Sequence, residues 1–326
     1  MFFEKATSGK NNILFYIATL VIVIFGYGIG QIPLVIVQTM QVNNNPEITT
    51  ADVNTFLETM DFSILRLSSN IGLILMIAIF IFAMMAFMLA IKYIHKLPFQ
   101  RLITPRKSIN WKKIFFGFGL WFVIALTFEG VVALIHPETY YFNFKPLSWI
   151  FLLLICIFLL PIQTSLEELV IRGYMMPGIS LLTNNKWVPW VITSVIFGLI
   201  HGANPEVERF GFWTMQIYYV GAGLFLGLIT VLDDSLELAL GVHAATNLFG
   251  AAFFSFDGSV LQTDSLIKAN EINPYIMILT FLLGAIIFMV ICNKKYNWGG
   301  FKMLFEPIGS SKSTIVFADQ SFKTLD

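Results

Sequence analysis

Two acids and an arginine interrupt an apolar stretch in the middle of this sequence, at Glu167, Glu168 and Arg172. Glu168 and Arg172 are four residues apart, so on a helix they can form an ion pair in the favourable acid-first order. Glu167 then has no partner on its own helix. An unpaired carboxylate in apolar surroundings can exchange a proton near neutral pH, as a general base must. The alternative interpretation is an interfacial charge cluster that ends the helix near the cytoplasm.

Two further groups, each with one histidine, lie in later apolar stretches. His201 follows Phe197 by four residues, and His243 precedes Asn247 by four. Because helical residues four apart share a face, His243 and Asn247 can present an imidazole and an amide to one point. A lone histidine in an apolar helix is more often a packing residue. Two histidines together with an acid pair favour a shared site.

The other histidines and both cysteines are expected to carry no chemistry. His95 and His136 lie near prolines in predicted loops, so we expect ordinary surface residues. Cys156 and Cys292 each lie inside an apolar run and have no partner at metal-ligand or redox spacing. They are predicted to be small core residues.

The elements that position these groups must be membrane helices. Of 326 residues, 57% are hydrophobic and only 12% are charged, with a mean hydropathy of +0.77. A soluble domain of this length is far less apolar, so the lipid bilayer is the expected solvent. Basic and acidic residues number 20 each. This balance gives no indication of a nucleic-acid partner.

The hydropathy pattern predicts an all-α, polytopic transmembrane helical bundle with about eight spans, since roughly 20 apolar residues cross a bilayer. The fourth span is long enough to need a tilt or a kink, which Pro161 can supply. At 1.5 Å per residue, Glu167, His201 and His243 can meet within the inner half of the membrane. The predicted spans are 12–38, 70–93, 114–135, 147–176, 187–203, 212–232, 236–254 and 274–292.

The charges in the loops predict the orientation of the bundle. The stretch 92–113 carries seven lysines and arginines, whereas 39–69 carries Arg66 alone among four acids. Because basic loops stay in the cytoplasm, both termini are predicted to be cytoplasmic, in a protein of the cell membrane. The polar tail 293–326 is expected to be a mobile cytoplasmic extension.

These residues carry a resemblance to a known family. In their order and on separate spans, they resemble the three motifs of the CPBP family, the CAAX-protease and bacteriocin-processing (Abi) group, which is related to the type II CAAX prenyl protease. The resemblance covers about 147–254. It implies a catalytic core at 147–254, preceded by three helical spans in 1–146 and followed by the last span and tail in 255–326. The motifs are Glu167-Glu168-x-x-x-Arg172, Phe197-x-x-x-His201 and His243-x-x-x-Asn247.

The resemblance implies an intramembrane endopeptidase that acts on a membrane protein or peptide. Peptide hydrolysis needs an activated water and donors for the tetrahedral oxyanion. By motif match, Glu167 and His201 would hold and deprotonate the water, while His243 and Asn247 would donate to the oxyanion.

The same match gives Glu168, Arg172 and Phe197 supporting roles, with the ion pair fixing the geometry of the site. A metal version stays open, in which two histidines and a carboxylate, His201, His243 and Glu167, bind zinc and leave one position free. The His-Glu-x-x-His signature of many metalloproteases is absent from the sequence. A metal-independent glutamate mechanism is therefore slightly favoured.

Two other functions are compatible with the pattern. The family also includes noncatalytic members assigned to bacteriocin immunity or scaffolding, and a proton-coupled transporter would likewise place ionisable groups inside spans. Such transporters tend to have two related halves, whereas here these groups are concentrated between Glu167 and His243. A protease is expected to have a blind, cytoplasm-facing cavity, and a transporter a path that continues to the other side.

The predicted orientation can be tested with two single cysteines. Thr50→Cys lies in the acidic first loop and Gln100→Cys in the basic second loop, so a membrane-impermeant maleimide added to intact cells should label residue 50 alone. Permeabilised cells should show labelling at both positions. Labelling of both residues from the same side would contradict the prediction.

Overall fold

The computed structural model describes residues 1–308, and it confirms the all-α polytopic bundle. Six helical segments are long and apolar enough to cross a membrane, and each coincides with a predicted span. The predicted spans 187–203 and 236–254 correspond to shorter helices. The predicted tail beyond residue 308 lies outside the described residues. The six long segments are Ile13–Asn44, Ser69–His95, Trp111–Ile135, Pro146–Thr183, Phe212–Asp233 and Pro274–Tyr296.

The first half of the chain forms three long spans and two short helices. A turn of wider, π-type helix at Ile91–His95 extends the second span, and 3₁₀ turns lie at Phe99–Leu102 and Pro137–Thr139. The helices are α1 (Phe2–Ala6), α2 (Ile13–Gly30), α3 (Ile32–Asn44), α4 (Thr50–Thr59), α5 (Ser69–Ala90) and α6 (Trp111–Ile135).

The second half contains all of the predicted site residues. Its long first segment breaks at Leu159, just before Pro161, where a kink was predicted. Wider helical turns follow at Leu169–Met175 and Phe249–Phe253, and a 3₁₀ turn lies at Phe301–Leu304. The helices are α7 (Pro146–Phe158), α8 (Leu160–Glu168), α9 (Met176–Thr183), α10 (Trp187–Ile200), α11 (Pro205–Phe210), α12 (Phe212–Asp233), α13 (Glu237–Leu248) and α14 (Pro274–Tyr296).

A small sheet joins the connections at one end of the bundle. Its strands are β1 (Tyr140–Phe142), β2 (Phe254–Phe256) and β3 (Ile267–Ala269), in the order β1-β3-β2. β3 pairs antiparallel with β1 and parallel with β2. The sheet ties the α6–α7 connection to the chain between α13 and α14. We call this end, formed by residues 45–68, 136–145, 201–211 and 254–273, the sheet end.

The opposite end carries the basic loop. The amide of Phe2 donates to Asp234 (2.8 Å), and the amide of Leu236 donates to the carbonyl of Ile103 (2.8 Å). These bonds place the N-terminus, the 92–113 loop and the α12–α13 turn together. We call this end, formed by residues 1–12, 92–110, 184–186, 233–236 and 297–308, the basic end.

Small residues allow the central helices to approach closely. A Cβ on Gly241 of α13 would lie 2.1 Å from the carbonyl oxygen of Ile114 in α6, and one on Gly223 of α12 would lie 2.8 Å from that of Ser194 in α10. No side chain fits at these contacts. α13, which carries His243, therefore packs directly against α6, and α12 packs directly against α10.

One sequence expectation is wrong. His95 is 2% exposed, and its Nδ1 donates to the carbonyl of Lys10 (2.8 Å) while Nε2 accepts from Tyr174 (2.7 Å). The wider turn that ends the second span directs the ring inward, so His95 is a packing residue and not a surface one. Cys156 and Cys292 are buried as predicted, and His136 is exposed.

Candidate active site

Glu167, in the last turn of α8, has one satisfied oxygen and one free oxygen. Gln163, one turn earlier, donates its amide to Oε1 (2.8 Å). Oε2 is buried and has no hydrogen-bond partner among the described residues. It lies 3.6 Å from Nε2 of His243 and 3.9 Å from Nε2 of His201. The structure thus brings the carboxylate expected to be unpaired together with both histidines from the later spans.

Glu168 orients His243 through a hydrogen bond on the side of the ring that faces away from Glu167. Its Nδ1 lies 2.8 Å from Oε1 of Glu168, and Nη1 of Arg172 donates to the same oxygen at 2.6 Å. A carboxylate only accepts, so Nδ1 carries the hydrogen, and Nε2 points towards Glu167. The expected ion pair is therefore present, and it also fixes the tautomer and direction of His243.

Arg172 and Glu168 are both completely buried. Protein groups therefore take the place of water around the guanidinium of Arg172. Its guanidinium lies over the ring of Phe197, with Cζ 4.1 Å from the ring centre. Nη2 also donates to the carbonyl of Gly223 (3.4 Å). A cation over an aromatic face is stabilised most when both are desolvated. Phe197 thus contacts the arginine that neutralises Glu168.

His201 lies at the C-terminal end of α10 and is fixed by two contacts. Its Nδ1 is 2.7 Å from the carbonyl oxygen of Phe197, which makes Nδ1 the donor and leaves Nε2 free to accept. The ring of Tyr219 is stacked on the imidazole at 4.8 Å and 24°. The short helix ends here, so the ring lies at the edge of the cavity rather than inside a continuous span.

Asn247 contacts the acid only indirectly. Its Nδ2 donates to Oε1 of Gln163 (3.2 Å), and Gln163 in turn donates to Glu167. The second hydrogen on Nδ2 stays available for another acceptor. Sequence reasoning missed Gln163, although a glutamine four residues before Glu167 in an apolar span is a signal that could have found it.

A second polar group lies beyond His201, and no sequence motif pointed to it. The hydroxyl of Tyr219 accepts from Asn204 (3.1 Å) and donates to Glu206 (3.4 Å). Glu206 also accepts from the amide of Val260 (2.7 Å). Burial raises the pKa of Glu206 above its ordinary value. These contacts connect the ring stacked on His201 with the loop that follows α13.

The site lies at the bottom of a cavity of about 1190 Å³. Its wall extends to the sheet end, where His136, Ala203 and Glu271 line it and are exposed. Among residues 1–308, none from the basic end lines it, and the Glu168–Arg172 layer lies beneath it. The cavity is therefore blind at the basic end.

This position makes two expectations incompatible. The sequence predicted a cytoplasmic basic loop and a cytoplasm-facing cavity, but the cavity and the basic loop lie at opposite ends of the bundle. The two expectations exclude each other. Counting spans could not reveal this, because the side from which a site is reached depends on how the helices diverge around it.

The residues present, as placed, do not fit a zinc site. Ligand atoms around a tetrahedral zinc with bonds of about 2.0–2.1 Å lie about 3.3 Å apart. Oε2 of Glu167 is 3.6 and 3.9 Å from the two histidine nitrogens. No three histidine, cysteine or carboxylate side chains in 1–308 are arranged to hold a metal ion.

Comparison with known proteins identifies relatives. Residues 146–249 match the family described as type II CAAX prenyl endopeptidase Rce1-like. Over 274 residues the chain is 32% identical to the uncharacterized protein YyaK of Bacillus subtilis (strain 168). This alignment covers 83% of this chain and 88% of YyaK. No solved structure matches the chain significantly. The matched family range contains all seven residues of the three motifs.

The buried ion pair predicts the phenotype of Glu168→Gln. The amide leaves the positive charge of Arg172 without its counter-ion, and breaking a buried pair in this way costs about 3–5 kcal/mol. We expect a lower membrane abundance and a lower melting temperature in detergent. Glu138→Gln, an exposed acid, should leave both unchanged. A Glu168→Gln chain as abundant and as heat-stable as the parent would contradict the assignment.

Proposed function

We propose that this chain, which belongs to the Rce1-like family of type II CAAX prenyl endopeptidases, hydrolyses a peptide bond of a membrane-associated protein or peptide with a water activated by Glu167. The observation that carries the proposal is the buried, unpartnered Oε2 of Glu167, which faces two fixed imidazole nitrogens in a blind cavity. An acceptor without a donor in such a place is suited to a bound water.

The distances support the placement of that water. A water about 2.8 Å from each partner fits between atoms separated by 3.6 to 3.9 Å. One O–H would donate to Glu167 and the other to Nε2 of His201, which directs a lone pair of the water at the substrate carbonyl. Glu167 takes the proton as the C–O bond forms. It then gives this proton to the leaving amine as the C–N bond breaks.

The oxyanion would be stabilised by His243 and Asn247. Nε2 of His243 can donate to the oxyanion when it carries a hydrogen as well as Nδ1, and the bond from Nδ1 to Glu168 keeps Nε2 directed into the cavity. Asn247 has a second N–H besides the one given to Gln163. Donors fixed before the reaction stabilise developing charge without reorganisation.

Glu168, Arg172 and Phe197 act as positioning residues in this proposal. The carboxylate directs His243, the guanidinium neutralises the carboxylate, and the aromatic ring covers the guanidinium. Phe197 also accepts the Nδ1–H of His201 through its carbonyl. Gln163 belongs with this group, because it links Asn247 to Glu167.

The wall of the cavity supports a membrane-associated substrate and an internal cleavage site. It is mostly apolar, and Tyr27 on it is 40% exposed in the middle of the first span, Ile13–Asn44, where lipid surrounds the bundle. No lysine or arginine of 1–308 lines it to bind a terminal carboxylate. The blind floor disfavours the transporter hypothesis, since ions would need a path past the Glu168–Arg172 layer.

Glu167→Gln tests the proposed base. The amide keeps the size of the side chain but removes the proton acceptor, so turnover should fall by about 10²- to 10⁴-fold. Membrane abundance should barely change, unlike that of Glu168→Gln. The measurement is cleavage of one reporter peptide at matched protein concentration, with exposed Glu208→Gln as the control. Normal turnover by Glu167→Gln would leave only a noncatalytic role for this acid.

Metal removal tests the second part of the mechanism. Because the proposed mechanism uses the carboxylate and imidazoles to hold water directly, purified protein treated with a strong zinc chelator and then dialysed should keep its cleavage rate. Metal analysis of the same sample should show less than stoichiometric zinc. Loss of cleavage that added zinc restores would replace this proposal with the metal mechanism, in which His201, His243 and Glu167 are the ligands.

A further inference from the structure

Among the described residues, the cavity reaches the water-facing surface at the sheet end, besides its lipid-facing wall at Tyr27. Its exposed wall is formed where α6, α10 and α14 begin or end, at His136, Ala203 and Asn273. On the other side of the site, Glu168 and Arg172 are completely buried. A peptide that is not already within the lipid must therefore reach Glu167 from the sheet end.

The distribution of basic residues assigns a side of the membrane to that end. The sheet end carries only four, Arg66, Lys145, Arg209 and Lys268. Lysines and arginines near the ends of spans are retained in the cytoplasm. The basic end and the span residues next to it carry thirteen: Lys5, Lys10, Lys92, Lys96, Arg101, Arg106, Lys107, Lys112, Lys113, Lys186, Lys294, Lys295 and Lys302.

The ion pairs strengthen this asymmetry. At the sheet end Arg66 pairs with Glu47, and Lys145 and Lys268 pair with Asp264 and Asp257. The acids there, which include Asp52 and Asp61 in the first loop, outnumber the four basic residues. The sheet end thus carries too little positive charge to be retained in the cytoplasm.

We propose that the active site is reached from the extracytoplasmic side, and that its substrate is an exported or membrane-anchored peptide whose cleaved segment lies outside the cytoplasm. This inference rests on the proposed function, because it names the substrate class of the same site. It excludes as the main substrate a protein whose cleaved end is confined to the cytoplasm, since such an end would have to cross the Glu168–Arg172 layer.

Two cysteines at the ends of one helix form a matched pair of probes. His136→Cys follows α6 at the sheet end and lines the cavity, whereas Lys112→Cys is exposed in the first turn of α6 at the basic end. The native cysteines, Cys156 and Cys292, are buried, so the parent chain gives the background labelling.

In detergent both added cysteines are accessible, so the labelling experiment in detergent does not depend on how the protein is oriented in the membrane. A bulky maleimide on His136→Cys should lower reporter cleavage at least about tenfold by obstructing the cavity, while the same adduct on Lys112→Cys should leave it within about twofold. A small methylthio adduct on His136→Cys should be tolerated, because the expected loss depends on the size of the adduct. Equal effects at the two positions would overturn the inference.

Intact protoplasts show directly from which side of the membrane the active site is reached. A membrane-impermeant bulky maleimide should modify His136→Cys and stop cleavage, and should leave Lys112→Cys unmodified. An impermeant reporter peptide should be cut by protoplasts and not by sealed inside-out vesicles. The reverse pattern in either measurement would overturn the extracytoplasmic assignment. Absence of cleavage by the unmodified chain in detergent would instead remove the proposed function, and this inference with it.

Discussion

The buried ion pair between Glu168 and Arg172 is the interaction on which the rest of the site depends. Neither side chain contacts solvent, so each charge is tolerated only because the other compensates it. The pair costs desolvation energy, and a hydrophobic pair of the same volume could stabilise the bundle equally well. What the ion pair adds is a fixed negative oxygen behind His243. It orients one histidine within an apolar bundle that otherwise offers few donors and acceptors.

This constraint extends to the packing of the helices. α13 must lie close enough to α8 for His243 to contact Glu168, and Gly241 allows α13 to touch α6 on its other side. α12 must lie close to α10, so that Gly223 presents its carbonyl to Arg172 while Tyr219 covers His201. The wider turn after Glu168 is a rare helical form that recurs at functional sites. The small residues and the irregular turn therefore serve the same site.

The sequence predicted most of the bundle and the centre of the site, because both depend on local spacing. Apolar length predicts a span, and a four-residue separation predicts that Glu168 can contact Arg172 on one helix. Contacts between helices do not follow from spacing. The bond from Glu168 to His243, the stacking of Tyr219 on His201 and the burial of His95 all depend on the angles at which helices cross.

The charges of the site favour Glu167 over Glu168 as the proposed base. Glu168 and Arg172 cancel each other's charge, whereas the negative charge of Glu167 has no cation paired with it. Proton transfer from water to Glu167 removes this charge while the tetrahedral oxyanion appears nearby. The proposed reaction would thus move one negative charge within the cavity instead of creating a new one in an apolar medium. If Glu168 were the base, its protonation would leave Arg172 as an uncompensated cation, which is far more costly. For this reason adjacent acids of the same type can have different roles.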